Sequence, residues 1–496
     1  MKPPKNFNFI TEPYEYQLES FLFAIKRFNA GLLLDMGLGK SKVSIDVARY
    51  YKKFDNTRKV LIVCPATLLY NWENQVITHS EYEPLIISHN DRYERIARLK
   101  YDFEFGIINY ESLFPTLRDM DVLAKHKSDL YLLEKGEDLL KKLKIDMIIF
   151  DESSRYIKTV DTQRTFSSTI LADNSRHKMI LTGTLIDNYP KDVFAQFRVM
   201  DGGRTFGLNY YKFLNFYFSD VGYGNFKKYE LKKGRIGLLQ KSIYTNCIRK
   251  RKEEVLDLPE KIFKVIEVAF DNKSRAMYES VKKKILSEIE IEGGTTVLQL
   301  FSILAKLQKL QQITSGFIIN QDKSFTLVQT PKLDALKEEV YSILENGRSV
   351  VIWCRFLKSI DLISKMLDGH HIKYITLSGA DKDKKKRYEK LVLFQNSPTI
   401  NVFIGQVESG GFGTELFKID APPNSIQYCI YYENTWSLAT RLQSMDRIHR
   451  IGQNSTCMYI DLAIKDTIDM QILESINKNK DVADAVMEKG VKGWVS

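Results

Sequence analysis

The chain offers no disulfide framework and no zinc site. Its five cysteines (Cys64, Cys247, Cys354, Cys429 and Cys457) are scattered, odd in number and never spaced C-x-x-C, and the seven histidines do not cluster with them. Cys64, Cys354 and Cys429 sit in apolar, strand-like runs, where a buried thiol behaves as a small hydrophobe. No apolar run approaches the length of a membrane span, which argues against a membrane partner. The opening M-K-P-P-K-N-F-N-F-I lacks the apolar core of a signal peptide, so a cytoplasmic location is expected. There is no internal repeat and no low-complexity tail.

What is there is a globular composition, 44% hydrophobic and 27% charged, over 496 residues, too many for one core. The net charge of +11 suits a polyanionic partner, an argument that gains weight only beside specific motifs. Short β-branched and apolar runs recur between helix-like stretches, at 59–65, 147–150 and 177–182, then at 349–354, 372–377, 400–405 and 426–432. Near-continuous apolar strands alternating with helices predict an α/β protein of two doubly wound parallel-sheet lobes with helical insertions. The expected divisions are a first lobe at 1–201, a helical insertion and connection at 202–330, and a second lobe at 331–496. The middle segment opens with aromatics at 206–218, passes through Arg249-Lys250-Arg251-Lys252 and ends in helix-like segments such as 295–312; a smaller insertion is expected at 118–144. The aromatics could stack exposed bases, but their mixed spacing favours a small core.

D-M-G-L-G-K-S at 35–41 follows the strand-like Leu32-Leu33-Leu34 and precedes a helix from Val43. Glycines let backbone N–H groups approach phosphates, and the helix N-terminus adds a favourable dipole. Lys40 would neutralise β- and γ-phosphate oxygens of ATP and Ser41 would hold Mg²⁺. The strict pattern wants a glycine at position 34, which is Leu34 here. I-I-F-D-E at 148–152 is an apolar strand ending in two acids: Asp151 can take a Mg²⁺-bound water, and Glu152 can orient or deprotonate the attacking water. Thr182 and Thr184, in L-T-G-T, either sense phosphate state or form a plain turn. Upstream, Gln17 can read adenine and a tyrosine, Tyr14 or Tyr16, can stack on it; the alternative is an amphipathic helix start. Far downstream, Q-S-M-D-R-I-H-R-I-G-Q at 443–453 places Arg447 and Arg450 one helical turn apart, predicted to point the same way and to serve leaving phosphates.

Taken in order, these motifs resemble the Swi/Snf-type branch of the superfamily-two helicase-like ATPases, a family of RecA-like lobes. Y-E-Y-Q at 14–17 resembles its Q motif, 35–41 its motif I, V-L-I-V-C-P-A-T-L-L-Y-N-W-E at 60–73 its motif Ia, D-E-S-S at 151–154 its D-E-A-H, and L-T-G-T-L-I-D-N at 181–188 its motif III. I-R-K-R-K-E-E-V-L-D-L-P at 248–259 resembles its linker. L-S-G at 377–379 with Arg387 and Phe394-Gln395 fits motif IV, and E-S-G-G-F-G-T-E-L at 408–416 motif V. Trp436 followed by 443–453 matches motif VI, and T-I-D at 467–469 the helix start after it.

The resemblance implies ATP and Mg²⁺ as cofactors and an ATP site of Tyr16, Gln17, Gly37, Leu38, Gly39, Lys40, Ser41, Gly413, Gln443, Arg447 and Arg450, with Lys40, Asp151, Glu152, Arg447 and Arg450 catalytic. It implies coupling through Thr182, Thr184 and Trp436, and translocation on double-stranded DNA gripped mainly at phosphates, with Thr67, Asn109, Thr182 and Arg355 as contacts and a DNA-bound protein as the object moved. The length suggests a bare motor core of a bacterium or phage. Ser154, where the family has His, is expected to loosen coupling between nucleotide and DNA sites. Glu408 and Glu415 replace polar or neutral residues and would repel DNA, so neither is expected to touch it. Two rivals stay open: a strand-separating helicase, which the linker and motif VI argue against, and a DNA-bound scaffold with weak ATPase.

Overall fold

Seven parallel strands carry the N-terminal unit, Met1–Asp257. Across the sheet they run Pro84–Ile86, Phe105–Asn109, Lys59–Cys64, Ile145–Asp151, His177–Leu181, Asn29–Leu34 and Cys247–Lys250. All six residues of Lys59–Cys64 and all five of Phe105–Asn109 are buried, the signature of strands covered on both faces. This is a computed structural model, and it describes residues 3–120, 140–183, 185, 190–222, 227, 229–256, 258–292, 297–320, 322, 324–410, 416, 418, 426–450, 453 and 455–478.

The C-terminal unit, Leu258–Ser496, holds six parallel strands in the order Lys261–Val268, Thr456–Ile464, Ile426–Tyr431, Val350–Cys354, Val402–Gln406 and Tyr374–Leu377. Helices Asn272–Glu292 and Val297–Thr314 pack with helix Ile468–Asn477 in a separate cluster that includes Tyr278, Leu307, Leu310, Ile468 and Ile472. Both units are thus doubly wound parallel-sheet lobes, as the apolar runs foretold. Among the described residues, no helix is long and apolar enough to cross a membrane.

The chain divides at Asp257/Leu258, within the segment expected at 202–330 as an insertion and connection. The start of its basic run is a strand: Cys247–Lys250 pairs with Asn29–Leu34, from Gly31 opposite Cys247 to Leu34 opposite Lys250. Gly31 permits this, since a Cβ there would collide with Cys247 Sγ. A four-residue strand with only Cys247 and Ile248 apolar carries too little periodicity to be read beside Arg249-Lys250-Arg251-Lys252. Farther on, Lys261–Val268 adds to the second sheet through Thr456–Ile464.

Of the aromatics at 206–218, expected to form a small core, Phe213, Tyr217 and Phe218 instead belong to the main hydrophobic core of the first unit, with Phe206 and Tyr210 packed against it. Phe206 packs on Phe197 and Phe213, and Phe213 on Phe194 and Tyr217; Tyr211, 70% exposed, stands outside it. Most of the insertion expected at 118–144 lies outside the described residues.

Candidate functional site

Strand Asn29–Leu34 runs buried into the loop 35–39, and helix Lys40–Phe54 begins at once. Gly37 and Gly39 take φ of 84° and 77°, left-handed values that glycine adopts without strain. The turn closes through Leu38 N–H to the Asp35 carbonyl at 3.2 Å. Asp35 is held in turn by the neighbouring edge strand: its N–H donates to the Lys250 carbonyl at 3.1 Å, and its Oδ2 accepts the Lys252 N–H at 3.0 Å. The basic run therefore braces the loop with its backbone, while the Lys250 side chain pairs with Glu19 and Arg251 with Glu253 and Glu254. Lys40 is nearly buried and donates through Nζ to the Leu34 carbonyl at 2.9 Å, and Ser41 lies beside it in the helix's first turn.

Tyr16 and Gln17 reach this loop from helix Glu15–Ile25. Gln17 Nε2 and the Tyr16 hydroxyl both donate to the Leu38 carbonyl, at 3.1 and 3.2 Å, while Gln17 Oε1 accepts the Tyr14 N–H at 3.1 Å. Both ends of the Gln17 amide are thus engaged with protein, and the pair supports the loop from behind. Burial pushes the Tyr16 phenol far above its ordinary value. The tyrosine with an open ring face is Tyr14, half-exposed and stacked on Tyr16 at 5.9 Å.

Asp151 ends strand Ile145–Asp151, paired with Leu181 of the strand that separates it from the phosphate-loop strand. The acids, Thr182-Gly183 and the loop therefore share the carboxyl edge of one sheet, where open α/β sheets place their ligands. The Asp151 carboxylate is pinned at both oxygens: Trp72 Nε1 donates to Oδ2 at 2.9 Å and the Glu152 N–H to Oδ1 at 3.0 Å. Burial and then the charge of Glu152 push its carboxyl up, against the pull of Lys40 and the indole bond. Glu152 takes φ 50° and ψ 43°, left-handed values that cost a non-glycine residue energy and cluster at functional sites. Tyr110 steadies this turn by donating to the Asp151 carbonyl at 2.8 Å, with its ring stacked on Tyr156 at 4.6 Å. Sequence reasoning missed Trp72 and Tyr110. The available signal was an aromatic with one polar atom, which usually finds a partner when buried.

Ser154 and Thr182 are both buried, with Oγ and Oγ1 2.8 Å apart. Ser154 thus ties the acidic turn directly to Thr182 at the end of the neighbouring strand. Ser154→Ala is expected to cost about 1 kcal/mol of first-unit stability, the net worth of one buried hydrogen bond, while Ser154→Thr keeps the donor. Thermal melting of the two variants checks this, and equal melting temperatures would refute it.

The proposed DNA contacts fare unevenly. Thr67 is exposed in the turn Ala66–Leu68. Asn109 is buried, accepting the Ser88 hydroxyl at 2.6 Å and donating to Glu111 at 2.9 Å, so a short amide at a strand end serves its own loop. Thr182 is buried against Ser154. Thr184 and Gly413 lie outside the described residues, as does Glu415.

In the second unit, Gln443 lies on helix Leu438–Met445, but that helix stops before either arginine, so the predicted helical pair is corrected. The backbone bonds here are long and turn-like, with the Ile448 and His449 N–H groups both donating to the Met445 carbonyl at 3.4 Å; that carbonyl also accepts the Tyr459 hydroxyl at 2.8 Å, and the His449 ring is tied to the Pro259 carbonyl at 2.8 Å. Arg447 is 2% exposed and its carbonyl accepts the Leu416 N–H, whereas Arg450 is half-buried, so the two do not present alike. Arg441, unremarked in the sequence, forms a buried bidentate pair with Asp461 at 2.7 and 3.0 Å and lies over the Tyr431 ring. Arg355 stacks on Trp436 with its guanidinium carbon 4.4 Å from the ring centroid, and Trp436 Nε1 donates to Gln311 at 2.9 Å. Desolvation holds the Arg355 guanidinium below its ordinary value despite the nearby charges of Glu408 and Glu433, and Glu408 itself is exposed.

No cluster of three or more His, Cys, Asp or Glu able to hold a metal occurs among the described residues. Ser41 and Asp151 offer one hydroxyl and one carboxylate, hard oxygen donors of the kind Mg²⁺ takes when it keeps most of its waters and binds phosphates.

Residues 16–315 match the SNF2-related domain and residues 331–452 the helicase conserved C-terminal domain. An uncharacterized ATP-dependent helicase of Mycoplasma genitalium is 24% identical over 94% of the chain, which spans 41% of that relative. The transcription regulatory protein SNF2 of Saccharomyces cerevisiae is 24% identical over 96% of the chain, which spans 28% of it. The chain thus covers well under half the length of these relatives. A solved SWI2/SNF2 ATPase core of Sulfolobus solfataricus in complex with dsDNA aligns with 99% of this chain and 96% of its own, at 22% identity and a TM-score of 0.44.

Proposed function

The chain belongs to the SNF2-related family, and from that premise we propose that it hydrolyses ATP and couples the cycle to movement along double-stranded DNA. The observation that carries this reading is the shared carboxyl edge of the first sheet, where a glycine loop with Lys40 lies near an acidic strand end with Glu152. Backbone N–H groups of the loop and of the first turn of helix Lys40–Phe54 bind the phosphates, and Lys40 exchanges the Leu34 carbonyl for β- and γ-oxygens. Ser41 and Asp151 would hold Mg²⁺ with its waters, and the ion when bound neutralises charge on those oxygens. Glu152 orients the attacking water and takes its proton. Arg447 and Arg450 are assigned to the charge of the transferring phosphoryl group. With a net charge of +11, the chain is suited to grip DNA through phosphates, without reading sequence.

Steady-state ATP turnover with no nucleic acid, with single-stranded DNA and with duplex DNA tests the reading, with Lys40→Ala as control. Duplex is expected to stimulate most, and DNA affinity to fall steeply between about 50 and 200 mM salt. Greater stimulation by single strands would replace translocation by strand separation. Turnover undiminished in Lys40→Ala would overturn the site assignment.

A further inference from the structure

We propose that Trp72 is a positioning residue of the nucleotide site, whose indole N–H sets the rotation of the Asp151 carboxylate so that its remaining lone pairs face the water shell of a divalent cation. The inference rests on the reading of the site given above and deepens it.

Trp72 lies on helix Leu69–His79, which follows the buried strand Lys59–Cys64 through the turn Ala66–Leu68. It is 1% exposed and Asp151 is 5% exposed, so their 2.9 Å hydrogen bond is shielded from competing water. A carboxylate oxygen has two lone-pair directions. Trp72 occupies one on Oδ2 and the Glu152 N–H one on Oδ1, which leaves one direction on each oxygen and restrains the torsion of the group. The type of donor matters. An indole N–H donates only, carries no charge and does not titrate. It orients the carboxylate without neutralising the negative charge that attracts a cation, as a lysine or arginine at the same place would. The fold does not require every buried indole to be paired: Trp353 Nε1 is buried and has no hydrogen-bond partner in the structure. The Trp72 bond is therefore a directed contact and not a by-product of burying tryptophan.

Groups that orient a metal's carboxylate contribute about 10- to 100-fold to metal affinity. The test compares ADP affinity in excess EDTA with that in Mg²⁺, by calorimetry, for the wild-type chain, Trp72→Phe, Asp151→Asn and a chain with 3-benzothienylalanine at position 72. The last replaces the indole N–H by sulfur in a ring system of the same shape, so it decides the matter if Trp72→Phe fails to fold. The expected result is unchanged affinity in EDTA, with the Mg²⁺-dependent gain reduced about 10- to 100-fold in both Trp72 replacements. ATP turnover by these variants should require correspondingly more Mg²⁺ and recover when it is supplied. A wild-type Mg²⁺ gain in the benzothienyl chain, with that gain lost in Asp151→Asn, overturns the role of Trp72 and leaves the site standing. No Mg²⁺ gain in the wild-type chain overturns both.

Discussion

Replacing Glu152 with glutamine should lower ATP turnover about 10²- to 10⁴-fold while leaving ATP affinity within a few-fold of wild type. Glutamine keeps the size and reach of the side chain and loses the basic oxygen, so the loss reports proton transfer and not packing. The backbone is expected to hold, because what fixes this turn does not involve the Glu152 side chain. Its N–H is bound to Asp151 Oδ1, and the Asp151 carbonyl is bound by Tyr110. The substitution also removes the charge that, after burial, does most to push the Asp151 carboxyl up, so Asp151 should ionise more readily and the Mg²⁺ requirement should not rise. That separates this variant from Lys40→Ala, in which phosphate binding itself is expected to go. Single-turnover hydrolysis alongside binding of a fluorescent ATP analogue makes the measurement. A variant that binds ATP and retains more than a tenth of wild-type turnover would mean that Glu152 is not the base.

Both lobes were legible because their central strands are near-continuous apolar runs, and Lys59–Cys64, Ile145–Asp151, Val350–Cys354 and Ile426–Tyr431 all fall where such runs stand. The phosphate loop was legible because its glycines are forced by backbone geometry, with Gly37 and Gly39 in left-handed conformations. What escaped is set by partners distant in sequence. Cys247–Lys250 becomes a strand only because Asn29–Leu34 has a free edge to pair with. Arg447 and Arg450 lie past the helix end, in a turn where Tyr459 and Pro259 bind Met445 and His449 from far along the chain. Asn109 and Thr182 read as surface polar residues, yet each is buried on a partner distant in sequence, Ser88 and Ser154, 21 and 28 positions away. A motif fixes residue types at an edge of the sheet. Which of them face outward is decided by hydrogen bonds that local spacing does not encode.

Lys332→Met should destabilise the C-terminal unit by about 3–5 kcal/mol, the cost of stranding one charge of a buried pair. Lys332 is 0% exposed and donates to Asp469 Oδ2 at 3.0 Å. Asp469 also accepts the Thr314 hydroxyl at 2.8 Å and the Ile464 N–H at 3.2 Å. One carboxylate thus joins the helix Val297–Thr314, the strand Thr456–Ile464, the helix Pro331–Glu345 and its own helix Ile468–Asn477. Methionine fills the space of the lysine stem, so cavity formation contributes little and the buried negative charge dominates. Adding Asp469→Asn removes that charge while keeping an acceptor and is expected to restore much of the loss, the sign of coupling between neighbours. The effect should reach the carboxyl end of strand Val350–Cys354, where Arg355 follows. Burial pushes the Glu433 carboxyl up, the Lys332 charge is the largest influence opposing that rise, and the Glu433 carboxylate accepts the Arg355 N–H at 2.8 Å and the Ser359 hydroxyl. Without Lys332, Glu433 shifts toward its neutral form and its hold on both groups weakens. Denaturant unfolding of the full chain, followed by separate probes of the two units so that distinct transitions are resolved, measures the loss. Equal destabilisation in Lys332→Met and in the double variant would show that packing, and not charge, is what Lys332 supplies.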